Sequence, residues 1–346
     1  MAGIQRLIDN FLDGRLPILA DAELDMKARL DLCRRYGDFA VAYSTAVQPD
    51  LKHYGDCDGY LAYATKMGHT FVLGDPVSDQ NSRRDYITRF VNASEWPCFV
   101  QIGSDTASVL SDLGYRVNHM GVDTRLSLDA PIFTGKRNET IRYSERWLLK
   151  KNYSVVECDG SFADVDRVSA ISAEWRAGRI VNRREMRFLN RPFQAELSAD
   201  MRRFLLIDPD GRAIALLDFD PLFHGDRIVG YTVAFKRKLT GTTPHAELGL
   251  TKFAVDRFKE EGRSLVTFGL SPLAAMSASG YPESHRWRFW FERAFRSKQV
   301  NSRIFNLQGQ AAFKRRFHGE EVATYIAFKR GTPLEMLALL RLLKTL

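Results

Sequence analysis

The chain has 346 residues, 45% of them apolar and 27% charged, with a formal net charge of +8. That length suits two domains better than one core, and the balance excludes a disordered or fibrous chain. The positive excess points to a polyanionic partner, either nucleic acid or an anionic membrane face. Cys33, Cys57, Cys98 and Cys158 form no CxxC pair and share no zinc-like spacing with histidine, so reduced thiols and no metal site are expected.

Residues 3–13 and 20–35 carry helical periodicity, and the first stretch lacks the unbroken apolar run of a signal peptide. No window approaches the roughly 18 uncharged apolar residues of a spanning helix, so the expected location is the cytoplasm. Strand-like runs follow at 38–44, 59–65 and 69–73. The last belongs to "GHTFVLGDPVSD" at 68–79, where the strand runs into Gly74 and then Pro76. Glycine permits an abrupt turn and proline stops the ladder, which leaves backbone amides at the strand end. Helix, strand, helix and strand alternate through 81–128, and "LDAPIFTGKRN" marks a domain boundary near Thr134.

The second half opens with a helix at 138–152, a strand "YSVVEC" and a helix at 162–177. A meander follows, "FLLIDPDGRAIALLDFDP" around an Asp-Gly turn and then "RIVGYTVAF". "TTPHAELGLTKFAVDRFKEEG" reads as a helix with Thr243 as N-cap, Pro244 at the first helical position and Gly262 closing it. "RSLVTFGLSPLAA" at 263–275 then repeats the strand, glycine and proline ending. This order predicts an α/β (α+β) chain of tandem acetyltransferase-like (GNAT) units with mixed, largely antiparallel central sheets. Residues 1–134 are expected to form the first unit, 135–330 the second, and 331–346 a C-terminal amphipathic helix.

The series "FVLGDPV", "GKRNETIRYSERW", "ISAEW", "VTFGLSPL" and "FNLQGQAAFKRRF" followed by "VATYIAF" spans roughly residues 38–330. In order and spacing it resembles the carboxy-terminal domain of the phosphatidylglycerol lysyltransferases. The resemblance implies two fused acetyltransferase-like units that move an aminoacyl group from aminoacyl-tRNA to an anionic membrane lipid, without a cofactor. It implies a place at the inner face of the cell membrane. Only about 35 residues precede the match, where many relatives carry a membrane-embedded region, so a stand-alone soluble form is expected. Two departures bear on lysyl specificity and on aminoacyl-tRNA use. Val233 occupies an acidic position of the family pattern, and "MGVDT" keeps only Asp123 where the family has an acidic run, with Val122 in place of an acid.

Basic residues crowd the middle and second half: six Lys/Arg against two Glu in 135–151, and eight Arg against three acids in 176–203. Arg142, Arg146 and Lys150 recur every four residues and would form one helical stripe for donor phosphates, extended by Lys136 and Arg137, unless they are a solvated face. Lys236 and Arg237 keep the basic part of the family pattern, and Arg237 is assigned to the donor backbone. Lys314 suits the negative charge of an acyl-transfer intermediate or a donor phosphate, and the family motif keeps a lysine there. Glu247 either complements a helix N-terminus or binds the donor's amino group. Gly269 and the amides after it are candidate oxyanion donors. Ser271 is expected to be a hydrogen-bonding wall, because Leu273 replaces the second glycine of a nucleophile elbow.

Asp218 and Asp220, read at a strand end, are candidates to replace the acid missing at Val233, and Asp75 either shapes the acceptor side or turns the chain. With the single Gly241, "RKLTGTTPH" offers few amides for a pyrophosphate, which disfavours CoA and leaves it open. Two alternatives stay open: an acyl-CoA or acyl-carrier-protein-dependent N-acyltransferase acting on an amine lipid, and a non-catalytic tRNA- or membrane-binding module. In "GTPLEMLALLRLLKTL", Met336, Leu339, Leu340 and Leu343 share one face. Residues 333–346 then either close the core or lie on an anionic membrane surface.

Overall fold

The computed structural model describes residues 11–17, 19, 24–158, 162–178 and 187–345. Most of the helix expected at 3–13, and Arg179, Arg183 and Arg184, lie outside the described residues. Asp25 accepts the Ala28 N–H and starts α1 (Met26–Tyr36). The strand expected at 38–44 is instead a turn leading into α2 (Ala42–Val47), buried almost throughout. A short apolar run buried on all sides has no periodicity to separate the two conformations.

β1 (Lys52–Asp56), β2 (Gly59–Lys66) and β3 (His69–Ser78) form an antiparallel meander. The chain crosses through α3 (Arg83–Ala93) to β4 (Cys98–Ile102), parallel to β3, and continues through α4 (Ser104–Asp112) into β5 (Arg116–Ser127). The same plan returns with α5 (Glu139–Lys150), β6 (Ser154–Glu157), α6 (Phe162–Ala177), β7 (Arg202–Ile207), β8 (Ala213–His224) and β9 (Arg227–Lys238). Through α7 (Ala246–Glu260) the chain reaches β10 (Leu265–Pro272), parallel to β9. Then come α8 (His285–Arg296), α9 (Lys298–Arg303), α10 (Leu307–Arg315), β11 (Glu320–Phe328) and α11 (Pro333–Leu342).

All eleven described strands join one sheet in the order β1-β2-β3-β4-β11-β5-β10-β9-β8-β7-β6. Only β3–β4 and β9–β10 pair in parallel, so the sheet is mixed and largely antiparallel, as expected. Its order is nearly palindromic about the β11–β5 pair. Each half lends its last strand to the other: β11 inserts beside β4, and β5 pairs with β10. A division at Thr134 falls in the irregular stretch between β5 and α5, yet the sheet continues across it. The two strand-glycine-proline endings sit on strands that do not correspond, since β3 matches β9 in this plan and β10 matches β4.

The start of α7 also differs from expectation. His245, not Thr243, is its N-cap, and Thr243 Oγ1 accepts the His245 N–H at 3.4 Å. α11 begins as read, with Thr332 accepting the Glu335 N–H and Pro333 at the first position. Its apolar face does not meet solvent: Met336, Leu339 and Leu343 are buried in the core formed with α1, α2, β2 and β3, while Leu340 is exposed. The expected membrane contact through 333–346 therefore gives way to the core reading. No helix among the described residues is long and apolar enough to cross a membrane.

Candidate active site

β9 and β10 pair only across Gly230–Thr232 and Leu265–Thr267 and then part. Each carries a bulge just beyond. Ala234 is the extra residue where Phe219 pairs with Val233 and Asp218 with Phe235, and Phe268 and Gly269 face Thr124 alone on the other side. Gly269 has φ +70, a left-handed conformation that favours glycine. Parted strands, with α10 and Trp175 of α6, enclose a cavity of about 250 Å³. Phe235, Phe268, Phe305 and Phe313 give it apolar walls; Lys314, Lys236, Arg237, Asp220 and Gln101 supply charge and polarity.

Lys314 Nζ donates to the carbonyls of Gly269 at 2.8 Å and Leu270 at 2.7 Å. Burial pushes its pKa down from 10.5 to about 7; Asp123 pulls it up and Lys236 pushes it further down. Asp123 is itself buried, accepting from the Thr267 hydroxyl and from Arg125 Nε at 3.2 Å. The Lys236 ammonium lies 3.3 Å from the centre of the Phe313 ring and 2.9 Å from Glu247 Oε2. Burial raises the Glu247 carboxyl, and the pull of Lys236 and Lys238 outweighs it, so the net shift is downward.

Asp220 and Arg237 of the cavity wall belong to a layer of buried charge. Arg203 holds Asp218 through two hydrogen bonds of 2.6 and 2.7 Å, and Arg191 Nε donates to Asp220 at 2.8 Å. Burial pushes the Asp220 carboxyl up against the opposing pull of Arg191. Arg237 is buried between Trp175 and Phe193 and donates to Ser172 Oγ.

Several expectations change accordingly. Asp218 and Asp220 lie within β8, not at its end, and both are paired with arginine. The Gly269 amide donates to Thr267 Oγ1 at 3.1 Å, so its carbonyl, not its N–H, meets Lys314. Ser271 is buried, lies outside the cavity wall, and its Oγ has no hydrogen-bond partner among the described residues. Glu247 is in the first turn of α7 as expected, but it is engaged by Lys236 and Lys238. Asp75 accepts the Gly103 N–H at 3.0 Å and so secures the start of α4.

Nor is the basic stripe uniform. Arg142 Nη1 binds the carbonyls of Phe133 at 2.7 Å and Gly135 at 2.8 Å and so staples the connecting segment. Lys136, Arg137, Arg146 and Lys150 are exposed. None of these five lines the cavity. In the arginine-rich segment, Arg191 and Arg203 are internal, Arg187 pairs with Asp50, and Arg202 pairs with Glu157 and Glu261. Gln101 had no sequence signal. It lines the cavity from the end of β4 in left-handed backbone (φ +59), and its buried Oε1 has no hydrogen-bond partner among the described residues.

The family model of the phosphatidylglycerol lysyltransferase C-terminal region matches residues 31–328. The chain belongs to that family. Among curated relatives of this C-terminal family, phosphatidylglycerol lysyltransferase of Bacillus subtilis (strain 168) is 21% identical over 297 residues, covering 83% of this chain and 33% of the relative. The enzyme of the same name from Staphylococcus aureus (strain COL) is 20% identical over 282 residues, covering 80% and 32%. The chain thus spans about one third of the length of the curated relatives it matches. Of solved structures, L-PGS from Bacillus licheniformis superposes with a TM-score of 0.76 at 19% identity, covering 94% of this chain and 99% of the other. The C-terminal domain of a putative lysylphosphatidylglycerol synthetase from Agrobacterium fabrum gives 0.77 at 20% identity, covering 92% and 96%. These likenesses establish the α/β fold, a mixed sheet built on a repeated plan. Val233, the departure noted above, lies in the cavity wall, whereas Val122 is buried against Ala274 and Ala311.

Proposed function

We propose that the chain transfers an aminoacyl group from aminoacyl-tRNA to a hydroxyl of an anionic, phosphatidylglycerol-like lipid, in the cavity between β9 and β10. The observation that carries this reading is Lys314, anchored by two carbonyls at the splayed strands in a chain of this family. The acceptor oxygen attacks the ester carbonyl, the bond to the tRNA ribose oxygen breaks, and the acceptor's proton ends on that leaving oxygen. The Lys314 ammonium has a third N–H to stabilise the oxyanion. Gln101 Oε1 is placed to accept from the donor's α-amino group. Lys136, Arg137, Arg146 and Lys150 hold the tRNA backbone outside the cavity.

Asp220 is the one carboxylate among the described lining residues, and Arg191 occupies it. With Lys314, Lys236 and Arg237 around it, the cavity favours an uncharged or acidic amino-acid side chain over a lysyl one. The loop before α7, where acetyltransferase-like folds hold CoA pyrophosphate, has its Thr240 amide bound to Glu174 at 2.8 Å, which weighs against an anionic cofactor there. The test is incubation with phosphatidylglycerol vesicles and tRNA charged with one labelled amino acid at a time. Label is expected in the lipid extract, lost on ribonuclease treatment and in Lys314→Met. Label passing to lipid only from an acyl-CoA would overturn the reading.

A further inference from the structure

α8 buries none of its residues fully, although it is strongly amphipathic. Its inner face is fixed: Trp287 Nε1 donates to the Gly331 carbonyl at 2.7 Å, Trp287 and Phe291 pack on the first core, and Phe295 packs on Val122, Ala274 and Ala311. At 100° per residue the outer face carries Phe289, Arg293, Arg286 and Trp290 side by side, with Arg296 at its edge. Phe289 is 58% exposed and Trp290 49%, and their rings meet edge to face at 5.7 Å. No carboxylate within salt-bridge distance of Arg286 or Arg293 is found among the described residues, and Arg296 reaches Glu292 only at 4.0 Å. α9 adds the exposed Lys298 and Arg303.

Two exposed aromatic rings interleaved with guanidinium groups form an ordinary solvated face poorly. The rings leave apolar area in water, and the cations sit where they would meet headgroup phosphates if the rings entered the acyl boundary. We propose that this face of α8, extended by α9, docks the protein on an anionic lipid bilayer. On its packed side α8 neighbours a helix of the cavity wall. Gln308 Nε2 on α10 donates to the Phe295 carbonyl at 2.9 Å, and the chain after α9 brings Phe305, Phe313 and Lys314 to the cavity wall. A bilayer under α8 therefore lies beside the helix that carries Lys314. The choice of a bilayer over RNA rests on the lipid-acceptor reading above; the face itself rests on exposure and charge.

The test is flotation with vesicles of phosphatidylcholine, alone or mixed with phosphatidylglycerol. Wild-type protein is expected to float with the mixed vesicles and to release at high salt. Arg286→Gln with Arg293→Gln should weaken that partitioning about thirtyfold. Phe289→Ser with Trp290→Ser should abolish it, with melting unchanged because these side chains face outward. Brominated lipid should quench the emission that Trp290→Phe removes. Equal flotation of wild type and both variants would overturn the proposal, as would variants that lose tRNA binding and keep vesicle binding. Flotation needs no turnover, so a protein that docks through α8 and transfers nothing would refute the transferase reading alone.

Discussion

A lysine whose amine is held by two backbone carbonyls spends two N–H groups on the protein, and only its ammonium form has a third to offer. Lys314 is in that position, with a pKa pushed down to about 7 by burial. If the ammonium stabilises the oxyanion, kcat/KM falls as pH rises through about 7, because this profile reports the free enzyme. A limb that rises with pH there would assign Lys314 to accepting a proton. Lys314→Met should lower kcat by about 10²–10³-fold, the usual cost of one oxyanion donor, and leave tRNA binding intact. The same shift has a signature in folding. Between about 7 and 10.5 the unfolded chain holds the lysine proton and the folded chain does not, so stability rises with pH across that window, and Lys314→Met removes the rise. Arg191→Met leaves Asp220 buried without its partner and should cost roughly 3–5 kcal/mol in urea unfolding. Neither arginine of the buried pairs was legible in the sequence, where Arg191 and Arg203 counted toward a surface charge.

At the scale of elements, α5 and α11 separate what looked alike in one dimension. Within the α5 stripe, Arg142 holds two carbonyls of the connecting segment, whereas Arg146 and Lys150 face solvent. Arg146→Glu with Lys150→Glu should therefore weaken tRNA binding and reduce its salt slope by about one to two, without lowering the melting temperature. Arg142→Ala should do the reverse. Leu339 of α11 is buried in the first core. Leu339→Ala should cost about 2–5 kcal/mol of stability, and vesicle flotation should not change. The start of α11 was readable because it depends on local chemistry, Thr332 and Pro333 beginning the helix as their residue types require, whereas α7 starts two residues later than Thr243 implied. Which amphipathic helix stays exposed was not readable, because α8 and α11 both carry an apolar face and only packing decides which face is covered.

For the whole molecule, the decisive feature is β11 between β4 and β5. Residues 1–134 alone leave both strands without the partner that separates them, so that piece should aggregate through open edges. The full chain should unfold in urea in one transition seen alike by fluorescence and circular dichroism. Two separated transitions would show that the halves are stable without the exchanged strands.

The sequence by itself determined most of the kinds of element, the start of α11, the family, and the place of Lys314 in a motif, because these follow from neighbours along the chain; the buried α2 and the His245 cap of α7 did not follow from them. Tertiary structure alone decided the rest. It joined two expected sheets into one by strand exchange, put the two glycine-proline endings on strands that do not correspond, and paired Asp218, Asp220 and Glu247 with cations from neighbouring segments. It also brought Gln101 of the first half to a cavity built by the second. The reason is physical: a buried charge or a strand edge is satisfied by whichever group the fold brings near, and that partner is not its neighbour along the chain.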